Sequence, residues 1–344
     1  MKWLLFTDNH YSTSSSIIRT RGNKYSARIE NQLDSLNWIE RYAEEHNIDA
    51  IACLGDFFDK PVLTDEEITG LRGIKWSNIQ HYFLIGNHES SFNDLVFSST
   101  TVLQRANTKI IDTPTTIKLG DTQVLFLPYI IESNRKPLTE TLSFDASVKK
   151  HIVLSHNDIK GVQMGSITSQ TGVDIDEIDK NCDLFINGHL HNGGYITPKI
   201  LNLGNLTGQN FGENALLYKH QIAILDTDTL EITLIENPYA LNVYKLEIFD
   251  KKDLAVFDQL KDNAAISVKC LNTLVDDVKE AIAKFKEAHT TLTTRLVVIN
   301  RSTEVMADRL DELTVDHLAK FIEFCKDKIN NTTVLATELA EVCK

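Results

Sequence analysis

Five apolar, strand-like runs, Trp3 to Phe6, Ala50 to Leu54, Tyr82 to Ile85, Ile152 to Leu154 and Leu184 to Ile186, each lead into a short polar cluster. The clusters are Asp8-Asn9-His10, Gly55-Asp56-Phe57-Phe58-Asp59, Gly86-Asn87-His88-Glu89, Ser155-His156-Asn157 and Gly188-His189-Leu190-His191. Strands of an α/β fold deliver residues to a sheet edge, where loops assemble a site. The pattern therefore demands a fold in which five strand ends converge on one pocket, with Asp56 at its centre.

The intervening sequence fits that demand. Ile29, Leu33, Leu36, Ile39 and Ala43 recur at helical spacing between the first two runs, which predicts a βαβ unit with parallel strands. Thr64-Asp65-Glu66-Glu67 reads as a helix start, a Thr cap with Glu at the third helical position. From Ile110 to Leu127, with Gly120-Asp121 as a turn, the pattern changes to antiparallel hairpins. Ile200 to Ile235 repeats it, with Gly204-Asn205 and Asp226-Thr227-Asp228 as turns. The expected class is α/β, two mixed sheets between helical layers, over residues 1–238.

Beyond Asn237-Pro238 the polar clusters stop. Strand-like Val243 to Phe249, helical Leu254 to Leu260, strand-like Ile266 to Cys270, helical Val275 to Phe285 and strand-like Leu296 to Ile299 read as a small α+β unit, 239–303. A helical tail, 304–344, closes the chain. Thr314 can cap a helix whose Val315, Leu318, Phe321, Ile322, Cys325 and Ile329 share one face.

Asp-x-His at a strand end places both side chains on one side, and a mixed oxygen and nitrogen donor set suits Mn²⁺, Fe²⁺ or Zn²⁺ better than Ca²⁺. Alone, Asp8 could cap a loop and His10 could be a surface residue. Asn87 beside His88 pairs a neutral oxygen ligand with a potential proton donor or transition-state stabiliser. His189 and His191 put two imidazoles two residues apart on an extended segment.

The polar stretch Ser12 to Arg28 is the most basic near any cluster, and Arg19, Arg21 and Lys24 are expected to contact DNA phosphates; a solvated loop is the alternative. No apolar run reaches the roughly 18 residues of a membrane-spanning helix. Five cysteines, far apart and without a Cys-x-x-Cys pair, fit reduced thiols. A soluble, cytoplasmic protein with no membrane association is expected.

In their order and spacing the clusters resemble the calcineurin-like metallophosphoesterase superfamily. Within it, Gly55-Asp56-Phe57-Phe58-Asp59 and Leu203-Gly204-Asn205 resemble the SbcD-type DNA repair nucleases, and the length and small second unit are most similar to their phage recombination endonuclease members. The resemblance implies two divalent metal ions, most often Mn²⁺. Asp8, His10, Asp56 and His191 would hold one ion, and Asp56, Asn87, His156 and His189 the other. It makes His88 the catalytic histidine. It implies a DNA exonuclease and endonuclease acting with an SMC-like coiled-coil ATPase of SbcC type in recombination, repair or end processing, with the tail as docking segment, and it allows a homodimer. Two such cations would keep the pocket electropositive although the formal net charge is −13. That charge argues only against coating nucleic acid by bulk electrostatics. A phosphatase or small-substrate phosphodiesterase of the same superfamily is the alternative; against it, Asp59 is followed by Lys60-Pro61 where such phosphatases carry Arg-Gly.

Overall fold

The computed structural model describes residues 1–18, 20–91, 94–164 and 167–299, with the backbone alone at 163, 164 and 167. Arg19, Cys325, Cys343 and the expected tail, 304–344, lie outside the described residues. Two six-stranded mixed sheets carry the polar clusters. The first runs, edge to edge, Ile232–Glu236, Gln221–Asp226, Lys2–Phe6, Ala50–Cys53, Gln80–Leu84 and Thr108–Ile111. Its last four strands are parallel, as the βαβ spacing predicts, and the other two add antiparallel through the Asp226 turn. The second runs Gly194–Thr197, Ile200–Asn202, Leu184–Asn187, Lys150–Ser155, Thr122–Leu127 and Thr115–Leu119. Four parallel strands form its centre, and an antiparallel strand closes each edge.

Side chains alternate across each strand, so both sheets bury both faces. Leu4, Phe6, Ile51, Cys53 and Phe83 pack under the helix Ala27–Glu45, on its Ile29, Leu36, Ile39 and Ala43. Trp3, Leu5, Ala50, Ala52 and Leu84 face the other way, against Val124, Phe126, Ile152, Leu154 and Ile186 of the second sheet. The outer face of that sheet, Leu125, Val153 and Phe185, meets Leu138 and Ile178 of two short helices, Leu138–Thr141 and Ile175–Asn181. The order helix, sheet, sheet, helix is the class the clusters demanded. Ser26 caps the first helix, accepting from the Ile29 amide, and Thr64 with Glu67 forms the reciprocal capping box at Asp65–Leu71.

Three parallel strands, Asn242–Ile248, Ala264–Leu271 and Thr291–Ile299, make a separate small sheet. The helix Val275–Ala288 covers it through Val278, Ile282 and Phe285. The segment expected as helical, Leu254 to Leu260, is helical up to Gln259 but in a 3₁₀ stretch, Lys251–Gln259, not an α-helix, with Asp250 and Asp253 forming its capping box. Gly204-Asn205 is not a hairpin turn either. Gly204 takes φ +79° and lies against the Gly193 backbone, so the chain leaves Ile200–Asn202 by crossing the His191 loop. Cys53, Cys182 and Cys270 are buried free thiols. No helix among the described residues is long and apolar enough to cross a membrane.

Candidate metal centre

The two strand-end loops that open the site run side by side. The Asp8 amide donates to the Gly55 carbonyl at 3.1 Å, His10 to Asp56 at 3.0 Å and Tyr11 to Phe57 at 2.7 Å. This pairing brings Asp8 and His10 against Asp56. The cost is conformational: Asp8 (φ 50°), His10 (46°), Asp56 (47°) and His189 (73°) all sit in the left-handed region. Each such residue costs on the order of 1–3 kcal/mol and persists only where the surroundings over-determine it. Glycine is required next to them. A Cβ on Gly55, itself at φ +96°, would enter the His156 ring, and one on Gly86 would enter the Asp56 carboxylate.

The side chains form two groups joined by Asp56. In the first, His10 Nε2 and His191 Nε2 face each other at 3.1 Å, and Asp8 Oδ1 lies 3.7 Å from one and 4.0 Å from the other. In the second, Asn87 Oδ1 lies 3.0 Å from His189 Nδ1 and 3.3 Å from His156 Nε2. Asp56 Oδ2 is 3.2 Å from His156 Nε2 and 3.8 Å from His10 Nε2, so one carboxylate oxygen belongs to both groups. Ligand atoms of Asp8, His10 and His191, and those of Asp56, His156 and His189, each gather within 4.8 Å.

Every one of the four imidazoles is held from behind through its other nitrogen. His10 Nδ1 is 3.2 Å from Asp59 Oδ1, His156 Nδ1 is 2.6 Å from the Leu54 carbonyl, His189 Nε2 is 3.1 Å from Asp158 Oδ1, and His191 Nδ1 is 3.2 Å from Glu213 Oε1. Such outer acceptors fix tautomer and ring orientation in metal-binding histidines. Asp8 Oδ2 is held likewise, accepting from the Thr7 hydroxyl at 2.6 Å and the His189 amide at 2.9 Å. Buried Glu89 accepts from the Phe58 and Gly86 amides and so joins two of the loops.

The electrostatics follow from burial and crowding. For Asp8, burial favours the neutral acid, but His10, His156 and His191 outweigh it and lower the carboxyl to about 2. Asp56 is driven down further by His156, His10 and His88 against the same burial. Burial disfavours charge on His10 and His156, yet Asp59, Asp8 and Asp56 raise them to about 10 and about 9. Glu89, buried and beside Asp56, rises to about 7.

His88 adjoins both groups at Asp56: one of its ring nitrogens lies within 4.8 Å of ligand atoms of His10 and Asp56, and its ring centroid is 4.7 Å from that of His10. The His88 side chain is 43% exposed, its amide donates to Asp56 Oδ1 at 3.0 Å and its Nδ1 faces the Asp59 carbonyl at 3.3 Å. The basic stretch is in part buried. Ile17 and Ile18 are buried against Leu241, Val243 and Ala265 of the small unit, and buried Arg28 bonds the Gly208 carbonyl and Gln209. Arg21 binds Glu66 through both carboxylate oxygens, and the Lys24 ammonium lies over the Tyr25 ring. Asp158 and Glu213, which the sequence does not single out, stand behind His189 and His191. They sit in loops with no periodicity, and only the fold places them behind histidines.

The residues fit a pair of divalent cations. Asp8 Oδ1 is buried without a hydrogen-bond partner, and two imidazole nitrogens converge beside it. A buried unpartnered carboxylate oxygen is costly, and a cation satisfies it where a further protein donor does not reach. Residues 1–193 match the family described as calcineurin-like phosphoesterase. No curated protein matches the chain. Among solved structures, a Thermus thermophilus protein matches at 13% identity, with a TM-score of 0.40, covering 68% of this chain and 98% of its own. A dimetal phosphatase from Danio rerio matches at 14% and 0.38, covering 69% and 98%. The 5′-nucleotidase from Candida albicans matches at 11% and 0.38, covering 83% and 58%. With its strand-end clusters gathered around Asp56 and more than half its length matched, the chain belongs to the calcineurin-like phosphoesterase family.

Proposed function

We propose that the chain is a two-metal-dependent DNA nuclease, the catalytic subunit of an assembly with an SMC-like coiled-coil ATPase. The observation that carries a diester rather than a monoester substrate is the fate of the cation after Asp59. Lys60 Nζ lies 3.0 Å from Glu67, which is fully buried, and among the described residues no lysine or arginine pairs with Asp8 or Asp56. A phosphomonoester dianion carries one more negative charge than a diester and profits from a further cation there. A diester has less need of one.

Asp8, His10, Asp56 and His191 would hold one ion and Asp56, Asn87, His156 and His189 the other, with Mn²⁺ suited to the mixed donors. When bound, the ions supply charge neutralisation on the phosphoryl oxygens and lower the pKa of water. The chain's own residues do the rest. Asp56 fixes the spacing of the two groups. Asp59, Asp158 and Glu213 keep the histidine nitrogens aimed. His88 has Nδ1 committed to the Asp59 carbonyl, so Nε2 is the atom free to give a proton to the departing oxygen. Arg21 and Lys24 would contribute phosphate contacts at the rim, Arg21 by exchanging Glu66 for phosphate. Residues 304–344 would dock on the ATPase, and a homodimer is compatible with this assignment.

The test is cleavage by the purified chain with Mn²⁺, with and without the ATPase, of single- and double-stranded DNA and of p-nitrophenyl phosphate. Cleavage of DNA with little monoester turnover is the expected result. Monoester turnover exceeding that of any diester would instead make the protein a phosphatase.

A further inference from the structure

A cavity of about 480 Å³ lies behind the His191 loop, between the Gly194–Thr197 edge strand, the 212–218 segment and Lys245 of the small unit. In a chain with 48 acidic residues, its lining holds no carboxylate among the described residues. Lys245 lines it, exposed and forming no ion pair among the described residues. Tyr195, 53% exposed, and Tyr218 supply two aromatic rings. Gly193 and Gly194 keep one wall low, and a Cβ at Gly194 would meet nothing within 4 Å.

A second feature ties the cavity wall to the His191 loop. Asn202, 2% exposed, lines the cavity and spends its amide N–H groups on the Leu190 carbonyl at 2.6 Å and the Asn192 carbonyl at 2.9 Å. Those two carbonyls flank His191, so one residue both lines the cavity and braces the loop that carries His191 to the candidate metal centre. Ring faces and an ammonium that forms no ion pair among the described residues are the groups that take a nucleotide: stacking for the base, Lys245 for a neighbouring phosphate.

We infer that this cavity binds a nucleobase of a single DNA strand whose phosphate backbone passes the metal centre. The inference rests on the nuclease reading and deepens it. The carboxylate-free lining in an acidic protein favours this polyanion over a basic peptide, which would seek acidic partners.

The experiment measures equilibrium binding of the full chain, in EDTA, to a fluorescent ten-nucleotide oligothymidylate and to an abasic oligonucleotide of the same length. Stacking of one base predicts about tenfold tighter binding of the base-bearing strand by the wild type. Gly194→Leu fills open space and Tyr195→Ala removes an exposed ring, so neither disturbs the core. The inference stands if the wild type discriminates and at least one substitution abolishes the difference. It is overturned if the wild type does not discriminate, or if discrimination survives both. The underlying reading is tested separately on wild-type protein with Mn²⁺ and bis(p-nitrophenyl) phosphate, a diester with no base. Failure there with base discrimination intact would sink the nuclease and leave the cavity's ligand in place.

Discussion

Asp158 and Glu213 offer a way to address the two proposed ions one at a time. Asp158 Oδ1 stands 3.1 Å behind His189, in the group with Asn87 and His156, while Glu213 Oε1 stands 3.2 Å behind His191, in the group with Asp8 and His10. Losing an outer partner of a metal-binding histidine typically costs about 10- to 100-fold in affinity, roughly 1.4–2.7 kcal/mol. The side chain of Asp158 is 23% exposed, so water can replace it in part, and the low end, about tenfold, applies to Asp158→Ala. Glu213 is 8% exposed, and Glu213→Ala leaves His191 Nδ1 without that replacement, so the high end applies. Calorimetric titration with Mn²⁺ reads both affinities. Each variant should weaken one binding event and leave the other within a few-fold of wild type. If both substitutions weaken the same event, or Asp158→Ala changes neither, the division of ligands into two groups around Asp56 is wrong.

Three further outcomes follow from the same geometry. His88→Ala should bind both ions as wild type does and lose about 10²- to 10⁴-fold in turnover, because the His88 amide that anchors Asp56 survives the substitution; unchanged turnover in stopped-flow cleavage would make His88 a bystander. In EDTA the protein should be most stable near about pH 4 and lose stability as the pH rises, first through Glu89, whose carboxyl, raised to about 7, contributes stability that is complete below the ordinary carboxylate range and is lost as the pH rises through 7. His10 and His156, raised to about 10 and about 9, contribute stability that is complete below the ordinary histidine range and is lost as the pH rises through those values. Asp8, lowered to about 2, contributes stability present above the ordinary carboxylate range and lost as the pH falls through 2; thermal melts flat from pH 6 to 10 would contradict this. Neutralising Arg21 and Lys24 together should lower the slope of log K for DNA against log salt by up to about two units, and an unchanged slope would show that Glu66 keeps Arg21 from DNA.

Much of the fold was legible because its signals are local. The five apolar runs are strands in the structure, the Ile29 to Ala43 periodicity is one helix face, and Thr64 with Glu67 closes a capping box within four residues. The residues of the candidate site were legible because each follows a strand and Gly, Asp, Asn and His are the residue types such turns and ligands need. What holds them was not. Asp158 and Glu213 act across 31 and 22 residues of sequence on His189 and His191, a separation no periodicity encodes. The left-handed backbone at Asp8, His10 and Asp56 arises from two loops pairing through amides, which becomes visible only when the parallel strands lie side by side. Ile17, Ile18 and Arg28 misled for a related reason: a stretch that reads as a polar loop acquires a buried floor once the small unit packs against it.

Whether Asp56 is common to two metal sites is measured most directly by Mn²⁺ stoichiometry. Calorimetric titration of the wild-type chain should find two ions per chain, and in Asp56→Ala neither site should keep wild-type affinity, since one oxygen of this carboxylate lies within 3.2 Å of His156 and 3.8 Å of His10. A single ion in the wild type, or two ions bound to Asp56→Ala as tightly as to the wild type, would contradict a shared Asp56.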